Sequence, residues 1–373
     1  MVVGIDASRA NAVARTGVER YSYCVIQELK QIVPTDCRVV LYSEGPLRGE
    51  LGDLPENWES RVLEWPCRYF WAELRLGWEM LVRRPDVLFQ PGRALPLVLP
   101  PRAVATLHDV GFAVRPRAYS TLNRWYQYLT TWLYLLRARI ITVSQFTADE
   151  VQSIFGPARH GMRPIPLGVD SGRYAAAADD PDSVSRVLKR HDIKGIGYLL
   201  YVGRLEDKKN VSGLLAAYEI LHLVLKEETP ELVLVGSRGR GADEALAGMS
   251  AAARSRVRLL GFTDDDDLPF IYAGALALFF PSFYEGFGLP VLEAFGARIP
   301  VLCSKVASLP EVAGGAAEYL DPTVNQQMAE ALLRICQDAG RRRELVERGT
   351  ARLSGFTWRR VAERTWQEIG GGF

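Results

Sequence analysis

What this chain lacks narrows it quickly. No apolar run approaches the roughly 20 residues needed to cross a bilayer. Met1-Val2-Val3-Gly4-Ile5-Asp6 runs straight into a strand-like segment, with no secretory leader pattern. Both absences predict a cytosolic protein, at most seated on a membrane face. Surplus charge is missing too: 45 Lys and Arg against 44 Asp and Glu leave +1, which argues against bulk electrostatic capture of nucleic acid. Cysteine is sparse and unpatterned. Cys24, Cys37, Cys67, Cys303 and Cys336 are odd in number, far apart and without a CxxC pair, so neither a disulfide framework nor a zinc site is expected. No repeat of solenoid period is visible.

What is present is ordinary in bulk and specific in detail. Hydrophobic residues at 48% and charged residues at 24% suit a globular enzyme, and 373 residues exceed what one core usually holds. Short β-rich runs alternate with helical patterns, the signature of parallel sheets wound by helices. Strands are predicted at Val2–Asp6, Arg38–Ser43, Val87–Gln90, Val104–His108 and Ile140–Ser144 in the first half. In the second they fall at Leu199–Val202, Leu232–Val235, Val257–Leu260, Ala275–Phe280, Val301–Cys303 and Glu318–Leu320. The small, acidic and aperiodic stretch Ala175–Asp182 places a hinge near residues 168–196. Thr147 and Glu150 are spaced as a capping box opening a helix. The expected fold is therefore α/β, with two Rossmann-like, doubly wound parallel-sheet domains facing a cleft: residues 1–170, residues 171–355, and a last segment, 356–373, that is helical.

The most informative segment is Ser282-Phe283-Tyr284-Glu285-Gly286-Phe287-Gly288-Leu289-Pro290-Val291-Leu292-Glu293, which follows the strand Ala275–Phe280. Two glycines, Gly286 and Gly288, flank Phe287, and Pro290, after Leu289, suits a first helical turn, so the loop offers bare backbone N–H groups at a strand-to-helix turn. That is a ready anion site. Glu285 and Glu293, eight residues apart, suit opposite ends of an elongated, hydroxyl-rich ligand with a phosphate in its middle; a nucleotide sugar fits.

A second constellation, Gly203-Arg204-Leu205-Glu206-Asp207-Lys208-Lys209-Asn210, follows the strand Leu199–Val202, at the carboxyl end where open α/β sheets bind ligands. Arg204 and Lys209 can supply two positive charges to a diphosphate. A solvated charged turn is the alternative for such a segment alone; its place ahead of the glutamate loop favours phosphate. Gly17, in Arg15-Thr16-Gly17-Val18, would let backbone approach a phosphate at a helix start. His108-Asp109 ends a strand, so His108 can donate to a sugar hydroxyl or shield a developing charge, against the alternative of a purely local bond. Gly261-Phe262 can offer backbone and ring to a base. Asp264–Asp267 reads as a helix start favoured by the dipole, with no metal implied. Residues 115–139 are rich in Arg (Arg115, Arg117, Arg124, Arg137, Arg139) and aromatics, which suits an anionic membrane face. Yet Trp125, Leu129, Trp132 and Leu136 share one helical stripe, and core packing is the favoured expectation.

Taken together these motifs resemble the retaining glycosyltransferases of family 4, which have the GT-B fold. The E-x7-E pair Glu285 and Glu293, Gly203-Arg204 with Lys209-Asn210, Val143-Ser144-Gln145-Phe146-Thr147, Thr16-Gly17-Val18 and the Phe356-Thr357-Trp358 opening of a final helix all match that family's segments. The resemblance implies that this final helix crosses back to the first domain. It implies that Arg204 and Lys209 neutralise the donor pyrophosphate, that Glu285 holds the transferred hexose, that Glu293 binds ribose, and that Gly261 and Phe262 contact the base. Gly17 would approach the phosphates and His108 would sit beside the sugar, with Asp109, Ser144 and Gly203 completing the substrate-binding set. Transfer would retain anomeric configuration by a front-face route, without metal or cofactor, and with closure of the domains on the donor. Where many relatives carry paired glycines this chain reads Ala14-Arg15-Thr16-Gly17, so only Gly17 carries over.

Within the family the Thr16–Tyr21 opening and the Leu107–Val110 strand end look most like bacterial mannosyl- and rhamnosyl-type transferases of surface polysaccharide and lipopolysaccharide assembly. GDP-mannose is the first expectation for the donor, with UDP- and dTDP-sugars next. The acceptor would be a saccharide or lipid-linked oligosaccharide met in the Trp58–Trp78 stretch and the loop after Asp109. A nucleotide-sugar epimerase is the rival enzyme and a non-catalytic nucleotide-sugar binder the rival class. A phosphorylase would need a pyridoxal-binding lysine context that the chain does not show.

Overall fold

The computed structural model describes residues 1–67, 69–92 and 95–370, and the side chains of these apart from residue 117. Residue 68 of the expected acceptor stretch, the Arg117 side chain and residues 371–373 of the expected final segment lie outside that description. Thirteen strands form two parallel sheets. In the first, β1 (Val2–Asp6), β2 (Arg38–Ser43), β3 (Trp58–Val62), β4 (Val87–Gln90), β5 (Arg102–Leu107), β6 (Arg139–Thr142) and β7 (Met162–Pro164) lie in the order β3-β2-β1-β4-β5-β6-β7. In the second, β8 (Tyr198–Val202), β9 (Leu232–Val235), β10 (Val257–Gly261), β11 (Ala275–Phe280), β12 (Val301–Ser304) and β13 (Ala317–Leu320) lie in the order β10-β9-β8-β11-β12-β13.

Central strands read as continuous apolar runs because helices cover both faces. All four residues of β9, Leu232-Val233-Leu234-Val235, are buried, as is β4 throughout. The two strands not expected from sequence are the edges of the first sheet. β3 is Trp58-Glu59-Ser60-Arg61-Val62, mostly polar and half exposed, and β7 is only Met162-Arg163-Pro164. Pairing to β2 and β6 makes them strands, and no local pattern announces it.

The chain divides into two compact units: Met1–Gly168 with the segment from Thr357 onward, and Val169–Phe356. The final helix, Trp358–Gly370, packs in the first unit against the helix Gly17–Ile32. Its Glu368 pairs with Arg139, and Thr365 is fully buried. Gly168 marks the division: a Cβ there would stand 2.4 Å from the Trp358 amide nitrogen, so a side chain is sterically excluded.

Three expectations are corrected. Although the division at Gly168 does fall within the expected 168–196, the 175–182 stretch is not aperiodic. It belongs to two helices, Ser171–Ala178 and Pro181–Arg190, started by Asp170 and Asp180, whose carboxylates accept from the Arg173 and Ser183 amides. Small acidic residues here are caps, not spacers. The helix after β6 begins at Gln145, three residues before the expected box would allow. Ser144 is its N-cap, accepting from the Thr147 amide at 3.0 Å. Finally, the Trp125 stripe faces outward. The helix Thr121–Arg137 buries Thr131, Tyr134 and Leu135, while Trp125 is 71% and Trp132 51% exposed. An apolar stripe at helical spacing says which residues share a face, and nothing about what that face meets.

Candidate functional site

Each sheet order reverses once, between β1 and β4 in the first unit and between β8 and β11 in the second. Loops leaving the carboxyl ends on either side of such a reversal diverge and open a crevice, the usual ligand position in open α/β sheets. In the second unit these are the loops after β8 and β11, which carry both sequence-derived constellations.

The two loops are joined. The Phe283 amide donates to the Lys208 carbonyl at 3.1 Å, and Lys209 Nζ donates to Glu285 Oε2. Ser282 Oγ donates to the other carboxylate oxygen at 2.8 Å. Ser308 Oγ lies within hydrogen-bond distance of both the Glu285 and Phe287 carbonyls, at 2.9 and 2.8 Å, and staples the loop from beneath. Glu285 is buried, so its charge is met by a cation and a hydroxyl, as a buried carboxylate requires. Arg204 is largely exposed, and its Nε lies 3.6 Å from Glu206. Lys209 is preset, and Arg204 is available for an incoming anion.

Backbone geometry shapes the rest. Gly203, Gly236 and Gly261 end β8, β9 and β10 with φ of 151°, 136° and 70°. A Cβ on Gly236 would lie 2.1 Å from the Gly203 carbonyl oxygen, so the end of β9 tolerates no side chain there. Gly288 (φ 106°) is the N-cap of the helix Leu289–Gly296, with Pro290 in its first turn; this leaves the first amides of the helix without intrahelical partners. Glu293 is buried on that helix and accepts from the Tyr272 hydroxyl at 2.8 Å. Phe287 is buried, whereas the Phe262 ring is largely exposed beside Gly261.

Sequence reasoning missed Gly236 and Tyr201. The Tyr201 hydroxyl donates to the Arg204 carbonyl at 3.1 Å, fixing the turn. Burial, with Glu285 and Glu206 nearby, pushes its pKa well above the usual value, so it stays a neutral donor. A glycine directly after a strand was a readable signal for Gly236; nothing in the sequence marked Tyr201.

Asp264–Asp267 does precede the helix Leu268–Ala273, but no carboxylate caps it. Asp267 instead pairs with Arg190 at 2.8 Å and meets His191 Nε2 at 2.8 Å. Among the described residues no group of three or more His, Cys, Asp or Glu is disposed to hold a metal ion.

In the first unit, Gly17 opens the helix Gly17–Ile32, and a Cβ there would meet nothing within 4 Å, so the approach is open. Tyr21 of that helix makes an edge contact with the His108 ring, centroids 4.9 Å apart. His108 Nε2 lies 2.8 Å from the Pro91 carbonyl. A carbonyl only accepts, so this nitrogen carries the proton. Burial lowers the His108 pKa, which leaves the ring neutral near pH 7 and makes Nδ1 an acceptor. The donor role expected for His108 is thus already used on Pro91. Asp109 accepts from the Gly111 amide at 3.0 Å, and Ser144 is fully buried in its cap.

Two family models divide the chain: one described as Glycosyltransferase Family 4 matches residues 15–173 and one described as Glycosyl transferases group 1 matches residues 189–352. The O-antigen chain mannosyltransferase B of Escherichia coli is 33% identical over 293 residues, 78% of this chain and 76% of that protein. Among solved structures, sucrose-phosphate synthase from Thermosynechococcus elongatus superposes with a TM-score of 0.76 at 18% identity, covering 98% of each chain. Anabaena HepE, in complex with UDP and glucose, gives 0.73 at 17% identity over 100% of this chain and 99% of its own. The chain belongs to the glycosyltransferases, and its fold is that of their GT-B members.

Proposed function

We propose that this protein moves a hexose from a nucleotide sugar, GDP-mannose first, onto a saccharide or lipid-linked acceptor during surface polysaccharide synthesis, with retention and without a metal. The observation that carries the reading is the coupled pair of loops at the β8/β11 reversal, where a buried glutamate held by Lys209 stands beside an exposed Arg204. A glycosyl diphosphate leaves with negative charge. Preorganised cations and backbone amides aimed at that charge lower the barrier. In this reading Arg204 and Lys209 take the diphosphate, with the amides of Phe287, Gly288 and Leu289 beside it, while Glu285 accepts from sugar hydroxyls. Glu293 takes the ribose, and Gly261 with Phe262 the base. Gly203 gives the diphosphate close access to the strand end. His108 Nδ1 accepts from a sugar hydroxyl, and Gly17 admits phosphate to a helix start.

The carbon–oxygen bond to phosphate breaks as the acceptor oxygen bonds the same face of the anomeric carbon, and the acceptor proton passes to the departing phosphate. Similarity to the E. coli mannosyltransferase favours mannose. The UDP bound by HepE supports a UDP-sugar as the second reading. The deciding experiment incubates the protein with GDP-mannose, UDP- and dTDP-sugars and a lipid-linked oligosaccharide in EDTA, then determines product linkage by NMR. An α-linked product from GDP-mannose is expected. A β-linked product, or activity only on adding magnesium or manganese, overturns the mechanism; nucleotide-sugar turnover without acceptor favours the epimerase.

A further inference from the structure

The outward Trp125 stripe has a counterpart in the same unit. On the helix Thr121–Arg137, Leu122, Trp125, Leu129 and Trp132 recur at three- and four-residue spacing and all are exposed. On the helix Gly77–Val82, Trp78 and Leu81 are exposed on one face, each 61% accessible. Their neighbours are tied together: the Tyr126 hydroxyl donates to Glu73, the Leu97 amide to the Glu73 carbonyl at 3.1 Å, and Arg137 to the Leu97 carbonyl at 2.8 Å. Two amphipathic helices therefore present apolar faces from one connected region. Soluble monomers rarely leave so much large apolar surface to water without a use.

Charge decides what covers it. Between Asp109 and Asp149 the chain has no carboxylate, yet it has five arginines, at 115, 117, 124, 137 and 139, of which Arg139 is already paired with Glu368. Glu79 of the neighbouring helix is buried and met by Arg61 and Arg75, and Arg83 lies 3.5 Å away. A second copy of this chain would bring arginines against arginines, because a two-fold contact sets the same patch on itself. An anionic bilayer offers what the patch lacks: negative headgroups for the arginines and a depth at which tryptophan rings are favoured. No helix of the described residues is long and apolar enough to cross a membrane, so the contact is superficial.

We infer that this face of the first unit docks on an anionic lipid surface, with the Trp125 and Trp78 helices lying in the plane of the headgroups. The inference is independent of the sugar transferred, since docking is read without donor or acceptor. The test is cosedimentation of the full chain with phosphatidylcholine vesicles, with and without phosphatidylglycerol, beside the variants Trp125→Ser/Trp132→Ser and Leu81→Ser, with melting midpoints recorded. Binding to the phosphatidylglycerol vesicles is expected. It should weaken with salt and fall about tenfold or more in the double variant, since each buried ring contributes much of a marginal affinity. In case a variant is destabilised, wild-type tryptophan emission should shift to the blue and be quenched by brominated lipid. Equal binding to both vesicles, an unaffected double variant, or no quenching overturns the inference. So does a wild-type dimer that the double variant splits, which would give the face to a second copy.

Discussion

The two units share one architecture and use it differently. Both are parallel sheets reversed once, with loops spread at the reversal. In the second unit the spread loops hold a charge array, with Lys209 locked to Glu285 and Arg204 left exposed. They also hold glycines at φ values no other residue adopts easily. In the first unit the corresponding tips are already satisfied by the chain: His108 is bonded to Pro91, and Tyr21 to Thr106 at 3.0 Å. Topology supplies a crevice in each, and loop chemistry decides what it can bind.

The comparison breaks most sharply at the charge array. Lys209→Ala and Glu285→Gln should each lower transfer by about 100-fold or more, the usual loss for one preorganised contact to a developing charge. Lys209→Ala also leaves the buried Glu285 carboxylate without its cation, at roughly 3 kcal/mol, measured as the drop in urea midpoint. Wild-type turnover in both variants would remove the second unit from the chemistry. Next comes Gly236→Ala, which sets a methyl against the Gly203 carbonyl at a disallowed φ; a loss of about 3 kcal/mol and of nucleotide binding is expected. A variant melting like wild type would mean that the two strand ends need not approach.

The first unit should answer to pH instead. His108 has a lowered pKa in the folded state, so below its ordinary value of about 6.5 the unfolded chain binds the proton more readily. Its contribution to stability is complete above about pH 6.5 and is lost as pH falls from there through the lowered folded value. His108→Gln should flatten that part of the stability profile measured by urea unfolding from pH 7.5 to 5; an unchanged slope refutes the assignment. Smallest is Gly17→Ala. The space is open, so stability should move by less than about 0.5 kcal/mol, while transfer falls several-fold if phosphate approaches that backbone. Equal activity would take Gly17 out of the site.

Nine central strands were readable because parallel strands covered on both faces are apolar, as Leu232–Val235 and Ala275–Phe280 are; the edges of the second sheet, β10 and β13, keep enough apolar residues to be read as well. The edge strands β3 and β7 were not, since β3 is mostly polar and β7 is only three residues long. The Glu285 and Lys209 loops were legible because glycine, proline and charge at strand ends have few other uses. Tyr201 was invisible: a tyrosine in an apolar strand looks like core until its hydroxyl is seen on the Arg204 carbonyl. The direction of the Trp125 stripe was not legible, because helical spacing shows which residues share a face and not what that face meets.

The contact at Gly168 also sets an order of assembly. The second unit is one continuous length of chain, so everything it needs has been synthesised once Phe356 has emerged. The first unit begins earlier but lacks the helix that covers Tyr21 and receives Arg139 until about 190 residues later. During synthesis its sheet must wait partly uncovered while a complete neighbour forms beside it. The long-range closure of Trp358 onto Gly168 is a slow, non-local step by its sequence separation. A ribosome stalled short of that helix would therefore display a finished second unit tethered to an unfinished first one, and protease would find the older half of the chain before the younger.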